Sequence, residues 1–180
     1  MRKLKLWTVG CGVLLGLLPL LAEAQQPKPA DDPWRPLAFM LGEWTASGSK
    51  EQAAATGGLS FKLELGGKIM VRRNFAEYPA QEAGKPPIKH EDLLIVYPSP
   101  ADSQYAAIYF DNEGHVINYV VSFDEQKSTV RMESQGPEQA PRFRLDYVLN
   151  LDSTLNVVFS IARPGDAFKV YTTGVARRQP

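Results

Sequence analysis

The chain has 180 residues, and its 20 basic and 20 acidic residues give a formal net charge of zero at pH 7. This balance excludes a general polyanion-binding protein, because nucleic-acid binding needs a concentrated basic face. The hydrophobic fraction of 44% fits one domain with a buried core, and the single cysteine, Cys11, excludes an internal disulfide.

Residues 1–24 have the three parts of a secretory signal peptide. Three basic residues stand among the first five, an apolar stretch covers 11–21, and a small-x-small cleavage motif covers 22–24. We therefore predict an exported protein, periplasmic or secreted, whose mature chain starts at Gln25. The apolar stretch is short for a membrane span of ~20 residues, so no stable membrane insertion is expected after cleavage. An uncleaved anchor and a lipoprotein modified on Cys11 are the alternatives.

Residues 25–36 are polar and contain four prolines, which predicts a flexible leader. Within this stretch, Asp31 or Asp32 can cap a helix, and Pro33 suits its first position. The sequence therefore predicts one helical turn over 34–40, closing one end of the domain that follows over 37–178.

From residue 43 onwards the chain alternates polar and apolar residues with the period of β-strands. The clearest apolar faces are formed by Leu59, Phe61, Leu63 and Leu65; by Ile117, Tyr119, Val121 and Phe123; by Phe143, Leu145, Tyr147 and Leu149; and by Leu155, Val157, Phe159 and Ile161. One apolar face on each segment is typical of an antiparallel sheet. Turn residues such as Gly66-Gly67 separate ten predicted strands, at 43–49, 59–65, 68–77, 90–97, 104–110, 115–123, 128–134, 141–149, 154–162 and 167–177.

Strands that follow one another through short turns form a meander, and closing the meander removes its unpaired edges. We therefore predict an all-β fold, an antiparallel up-and-down β-barrel of about ten strands, with an open sandwich as the alternative. Gly42 and Trp44 open the first strand, and Arg177 and Arg178 end the last. We interpret these four residues as structural, with Trp44 plugging one mouth and an arginine latched over its ring.

The segment Phe39–Trp44 resembles the Leu-x-Gly-x-Trp opening of calycin-like barrels. Three further stretches are similar to bacterial secreted domains of unknown function whose barrels are related to nitrobindin: Leu65–Lys68, Tyr109–Gly114, and Ile161–Gly165 with Ala176–Arg178. The resemblance implies a ten-stranded, lipocalin-like barrel with an interior cavity. Nitrobindin carries haem on a histidine of its C-terminal strands, whereas the last histidine here is His115. Haem is therefore not expected, and no other cofactor is predicted.

No catalytic or metal-binding motif stands out in the sequence. His90 lies beside Glu91 and Asp92, which can help to hold a divalent ion. Neighbours in a strand point to opposite faces, however, so a solvated strand start is the favoured interpretation. His115 follows a glycine in a turn and is expected to face water. We therefore predict neither catalytic residues nor metal ligands.

Arg73 is the charged residue with the strongest functional signal. It shares strand parity with Ile69, Val71 and Phe75, which points it towards the apolar side. A buried arginine needs an anion, which is either a ligand carboxylate or a protein carboxylate. A strand bulge would instead turn Arg73 outward and present Arg72.

The aromatic residues of the apolar faces either line a pocket or pack as core. As candidate ligand-binding residues we take Arg73, Tyr119, Phe123, Phe143, Tyr147 and Phe159. They predict a carrier of a small apolar or amphipathic molecule, with no nucleic-acid partner. The alternatives are an enzyme with an interior acid–base site at Arg73, Tyr119 or Tyr147, and a structural or interaction module without a ligand. The sequence gives no oligomeric state.

Overall fold

The computed structural model describes residues 32–48, 56–80, 82, 84–99 and 105–180. The predicted signal peptide and residues 25–31 of the leader lie outside these described residues. A 3₁₀ helix covers Arg35–Met40. Ten strands follow, namely β1 (Gly42–Gly48), β2 (Thr56–Glu64), β3 (Ile69–Tyr78), β4 (Ile88–Pro98), β5 (Tyr105–Asp111), β6 (Val116–Asp124), β7 (Thr129–Ser134), β8 (Arg142–Leu149), β9 (Thr154–Ala162) and β10 (Lys169–Arg178). Within the described residues, no helix is long and apolar enough to cross a membrane.

The ten strands form a closed antiparallel barrel in which each strand pairs with its neighbour in sequence. Closure comes from β10, which returns to pair with β1 over Trp44–Gly48. The predicted ten-stranded up-and-down barrel is therefore confirmed, and the open sandwich is wrong. Those residues of the four predicted apolar faces that lie in strands share the inner side of the barrel. Leu65 is the exception, because it lies in the β2–β3 turn and is 73% exposed.

The 3₁₀ helix lies across one end of the barrel, which we call the closed mouth. Its apolar residues Leu37 and Met40 are buried together with Trp34. The indole Nε1 of Trp34 donates to the carbonyl of Gly67, 2.7 Å away in the β2–β3 turn. The Nε1 of Trp44 donates to the carbonyl of Met40 at 2.8 Å. These two bonds satisfy both buried indoles and fix the helix to the strands below it.

Arg178 rather than Arg177 lies over Trp44 at the closed mouth. Its guanidinium carbon is 4.3 Å from the centroid of the Trp44 ring. The same guanidinium donates to the carbonyl of Phe39 at 2.7 Å and to that of Leu41. Arg177 is exposed on the outer side of β10. The last strand is therefore joined to the segment that precedes the first.

The burial of the inward side chains decreases from the closed mouth to the opposite end of the barrel. In the closed half, most of the inward side chains are buried: Trp44, Leu59, Phe61, Met70, Leu94, Val96, Ala107, Tyr119, Val121, Val130, Met132, Leu145, Tyr147, Leu155 and Ala176. In the other half, inward residues retain partial exposure: Ala46, Asn74, Ala76, His90, Tyr109, Ile117, Phe143, Val157 and Phe159. Solvent therefore reaches the interior from this second end, which we call the open mouth.

Candidate binding site at the open mouth

A buried ion pair separates the solid half of the interior from the open half. Arg72 of β3 points inward between Phe61 of β2 and Leu94 of β4. Its guanidinium bonds to the carboxylate of Asp92, and each of these two side chains is only 4% exposed. It also donates to the hydroxyl of Tyr147 on the far wall. These contacts form a polar floor across the barrel.

The positive charge of Arg72 in this floor is balanced by the carboxylate of Asp92, which is why a buried charge is tolerated there. Burial alone would lower the pKa of Arg72, but Asp92 and Tyr147 more than offset this, and the pKa lies above its ordinary value. Burial acts in the opposite direction on the carboxyl of Asp92, yet Arg72 and its hydrogen-bond donors hold its pKa below the usual range. One donor is Asn74, whose amide nitrogen lies 2.8 Å from Asp92. The Nε of Arg72 has no hydrogen-bond partner among the described residues.

His90 connects this floor to the open mouth. Its Nε2 lies 3.3 Å from the Oδ2 of Asp92 and 3.3 Å from the hydroxyl of Tyr109. Its Nδ1 lies 3.1 Å from the Oε1 of Glu113, which belongs to the β5–β6 turn. The hydrogen bond to Asp92 is the main cause that raises the pKa of His90 to about 9, because it outweighs partial burial.

The β5–β6 turn is folded so that its acidic residues reach the strand beside it. The Oδ1 of Asp111 accepts the backbone N–H groups of Glu113 at 3.0 Å and of His115 at 2.9 Å. The Asn112 side chain accepts from the backbone of Glu91 and donates to that of Lys89, each at 3.1 Å. These local bonds fix Glu113 beside His90. They are the side-chain-to-backbone bonds that aspartate and asparagine favour in turns.

An apolar wall faces this polar cluster across the open half. The rings of Phe143 and Phe159 are stacked, with centroids 6.1 Å apart and an interplanar angle of 7°. Tyr171 meets Phe159 edge-on at 6.1 Å. Tyr171 lies at the β-bulge of β10, between Val170 and Thr172, where the register of the strand pair shifts. A polar floor, a polar side and an aromatic wall therefore line the open half of the interior.

A second concavity lies on the outer side of the barrel. This outer groove has a volume of about 770 Å³ and crosses β1 to β5, with Arg73, Phe75, Leu93 and Phe110 among its lining residues. The Phe75 ring packs closely on Gly58: a Cβ atom added to Gly58 would lie only 2.9 Å from the ring. Phe75 is about half exposed, at 53%.

Comparison with known proteins supports the fold. No family model and no curated protein matches the chain by sequence. Fifteen chains of known structure match its backbone. One is the crystal structure of Rv2717c from M. tuberculosis, which has 13% sequence identity and a TM-score of 0.54 over 82% of this chain and 98% of that chain. This likeness shows the barrel fold.

Arg73 does not point into the barrel as the sequence predicted. It is exposed, and it lines the outer groove. No bulge is needed for this, because the β2–β3 and β3–β4 registers run without a shift through residues 70–77. The prediction was wrong because it assumed that the more apolar side of β3 is the inner one. The inner side carries Arg72 and Asn74 instead.

The aromatic candidates fall into three places. Tyr119 and Tyr147 are fully buried at or below the polar floor. Phe143 and Phe159 form the partly exposed wall of the open half. Phe123 lies near the closed-mouth end of β6 and is 36% exposed, so it is not brought together with the others. The three residues suggested for acid–base chemistry likewise do not meet, because Arg73 is on the outside.

The sequence reasoning missed the residues that make the polar cluster. His90, Glu91 and Asp92 are neighbours in one strand, but only His90 and Asp92 share the inner side. No sequence pattern singles out Glu113. The available signal was the repeated polar residue at every second position of β3 and β4: Arg72 and Asn74, then His90 and Asp92.

Proposed function

We propose that this protein is an exported β-barrel that binds a small amphipathic molecule in its open half. The observation that carries the proposal is the change in burial along the interior. Most inward residues near the closed mouth are buried, whereas Val157, Ile117 and Phe159 remain partly exposed although they also face inward. Small-molecule sites are concave, mostly apolar and supplied with a few convergent polar groups.

The chemistry of the walls favours a ligand that is mainly apolar with a hydrogen-bonding end. Phe143 and Phe159 offer flat apolar surface on one side. Tyr109 and His90 offer polar atoms on the other. The charge of Arg72 is already balanced by Asp92, so this floor does not call for an anionic ligand.

The export part of the proposal rests on the N-terminal sequence. Residues 1–24 combine a basic start, an apolar stretch and a small-x-small cleavage motif. The destination would be the periplasm or the medium. Mass determination of the N-terminus after expression of the full chain tests this, and a start at any residue before Gln25 would contradict it.

Binding can be tested with a neutral apolar fluorophore, N-phenyl-1-naphthylamine. The full chain is expressed and purified as the host processes it, then titrated with the probe. We expect saturable binding with one probe per chain. Val157→Trp puts a large side chain into the open half, because Val157 faces inward beside its strand neighbours Tyr147 and Gly174. It should abolish binding.

The matched control is Val158→Trp, which adds the same side chain to the outer side of the same strand. It should bind the probe as the natural protein does. Phe75→Ser removes the aromatic ring of the outer groove and should also leave binding unchanged. If Phe75→Ser loses the probe while Val157→Trp keeps it, the ligand site is outside the barrel and the proposal is wrong. Thermal melting verifies that each variant is folded.

A further inference from the structure

We propose that the open mouth carries a binding site for a divalent transition metal such as zinc, with His90, Asp111 and Glu113 as its ligands. One ligand comes from β4, one from the end of β5 and one from the turn that follows. The site shares His90 with the proposed carrier function but does not use the aromatic wall, so metal binding can be tested separately from binding of an apolar molecule.

The three side chains lie close enough together for one metal ion to be shared among them. One potential ligand atom from each residue can be chosen so that all three lie within 4.8 Å of one another. The Nδ1 of His90 and the Oε1 of Glu113 are 3.1 Å apart. In a tetrahedral zinc site with bonds of about 2.0–2.1 Å, ligand atoms are separated by about 3.3 Å. The separation of these two atoms is therefore close to that of two ligand atoms on one zinc ion. Glu113 is exposed, so its side chain has room to move towards a bound ion.

The orientation of His90 is the second observation that points to a metal. A metal-bound histidine typically donates its other ring N–H to a carboxylate, which fixes the ring and its tautomer. Here Nε2 faces Asp92 at 3.3 Å, and Asp92 is itself held by Arg72 and Asn74. The opposite nitrogen, Nδ1, is thereby directed towards Glu113. The buried ion pair of the floor thus acts as the support of a ligand.

The side chain of Asp111 is also held in place by hydrogen bonds. Its side chain is only 4% exposed, and its Oδ1 accepts two backbone N–H groups. The Nδ1 of His115 lies 2.9 Å from the Oδ2 of Asp111 and 3.9 Å from the Oε2 of Glu113. His115 therefore lies beside two of the three ligands and offers an imidazole as a fourth.

The ligand types select the class of metal. Imidazole nitrogen with carboxylate oxygen suits zinc and its transition-metal neighbours, whereas magnesium and calcium prefer oxygen ligands alone. The cluster also carries more negative than positive charge. It holds three carboxylates, those of Asp92, Asp111 and Glu113, against the one buried guanidinium of Arg72. A divalent cation offsets this excess of negative charge.

The test is a titration of the full chain, purified as the host processes it, without a histidine tag and after chelator treatment. Isothermal titration with zinc chloride should give one site per chain, and cobalt(II) should give the visible absorption of a low-coordinate site. His90→Gln and Glu113→Gln should each weaken zinc binding by at least roughly ten-fold. Zinc should raise the melting temperature of the natural protein and not that of His90→Gln.

Glu91→Gln is the matched control, because Glu91 precedes Asp92 on the same strand but faces the outer groove. It should bind zinc as the natural protein does. Glu113→Gln changes an exposed turn residue, so it should fold and still test the site if His90→Gln folds poorly. The proposal is overturned if zinc does not bind saturably, if Glu113→Gln binds normally, or if Glu91→Gln weakens binding equally. Val157→Trp should keep the metal and lose the apolar probe, which separates this site from the carrier function.

Discussion

Arg72 and Asp92 form an ion pair across β3 and β4 in the interior of the barrel, with both side chains 4% exposed. Removing one partner leaves an uncompensated buried charge. We therefore expect Arg72→Met and Asp92→Asn each to lower the free energy of unfolding by about 3–5 kcal/mol. The double variant should lose clearly less than the sum of the two. Chemical denaturation of all four proteins gives the coupling energy.

Arg131 and Asp146 provide the control for this cycle. They form a pair on β7 and β8 with N–O distances of 2.8 and 3.0 Å, but Arg131 is 43% exposed. Pairs in contact with solvent contribute about 0–1 kcal/mol. The same substitutions there should give a coupling energy in that range. Equal coupling in the two cycles would mean that burial does not set the strength of the Arg72–Asp92 pair.

Arg178 should stabilise the closed mouth, and Arg177 should not. Arg178 stacks on Trp44 and donates to the carbonyls of Phe39 and Leu41. Arg178→Ala should cost about 1–2 kcal/mol from the lost cation–π contact and hydrogen bonds. Arg177→Ala, one residue earlier on the outer side, should change the unfolding free energy by less than about 0.5 kcal/mol. Similar losses for the two variants would refute a latch specific to Arg178.

Trp44→Ala should be among the most damaging substitutions in this barrel. The side chain is 1% exposed, and its indole bonds to the carbonyl of Met40 beneath the 3₁₀ helix. Its removal leaves a large cavity and an unpaired carbonyl, so the expected loss is about 3–5 kcal/mol. Thermal and chemical melting measure it. An unchanged melting curve would show that Trp44 does not plug the mouth.

Local patterns in the sequence were sufficient to predict the barrel but not the polar site. The alternation of Tyr119 and Val121, or of Leu145 and Tyr147, marks one apolar side per strand, and this alternation holds wherever the inner side is apolar. It fails in β3, where the inner residue opposite Phe61 and Leu94 is Arg72. An arginine there is compatible with the interior only because Asp92, twenty residues later, lies beside it.

The proposed metal ligands also could not be predicted from local sequence patterns, because they are far apart in the chain. His90 and Glu113 are 23 positions apart in the chain. Their approach depends on the register between β4 and β5 and on the turn that Asp111 and Asn112 organise. Neither the register nor the turn geometry is encoded by the spacing of the two residues. The sequence alone therefore pairs His90 with its immediate neighbour Glu91, which faces the outer side.

Gly42→Ala should destabilise the closed mouth for two separable reasons. Gly42 has φ of +116°, which side chains disfavour, and an added Cβ would lie 2.6 Å from the Nη1 of Arg178. The expected loss is about 1–3 kcal/mol. In an Arg178→Ala background the clash disappears and only the backbone strain remains, so the loss should be smaller. Gly165→Ala, with φ of +79° and no atom near the added Cβ, is the control for strain alone. A loss at Gly42 that is unaffected by Arg178→Ala would exclude the contact.

Tyr147 should make the barrel sensitive to alkaline pH. Burial raises the pKa of Tyr147 to about 12, whereas the ordinary value is 10.0. The folded protein therefore keeps a proton that the unfolded chain releases above pH 10. The contribution of this group to stability is complete below pH 10 and declines progressively as the pH approaches 12. Burial raises the pKa of Tyr119 as well, so it acts in the same direction.

Denaturant unfolding at a series of alkaline pH values tests this, with phenolate absorbance recorded on the same samples. Tyr147→Phe should reduce the slope of unfolding free energy against pH, because it removes one of the buried protons. It should also lower stability at neutral pH, since the hydroxyl accepts a hydrogen bond from Arg72. Tyr171→Phe alters an exposed tyrosine and should leave the slope as it is. A slope that Tyr147→Phe does not change would mean that Tyr147 ionises as readily in the folded barrel as in the unfolded chain.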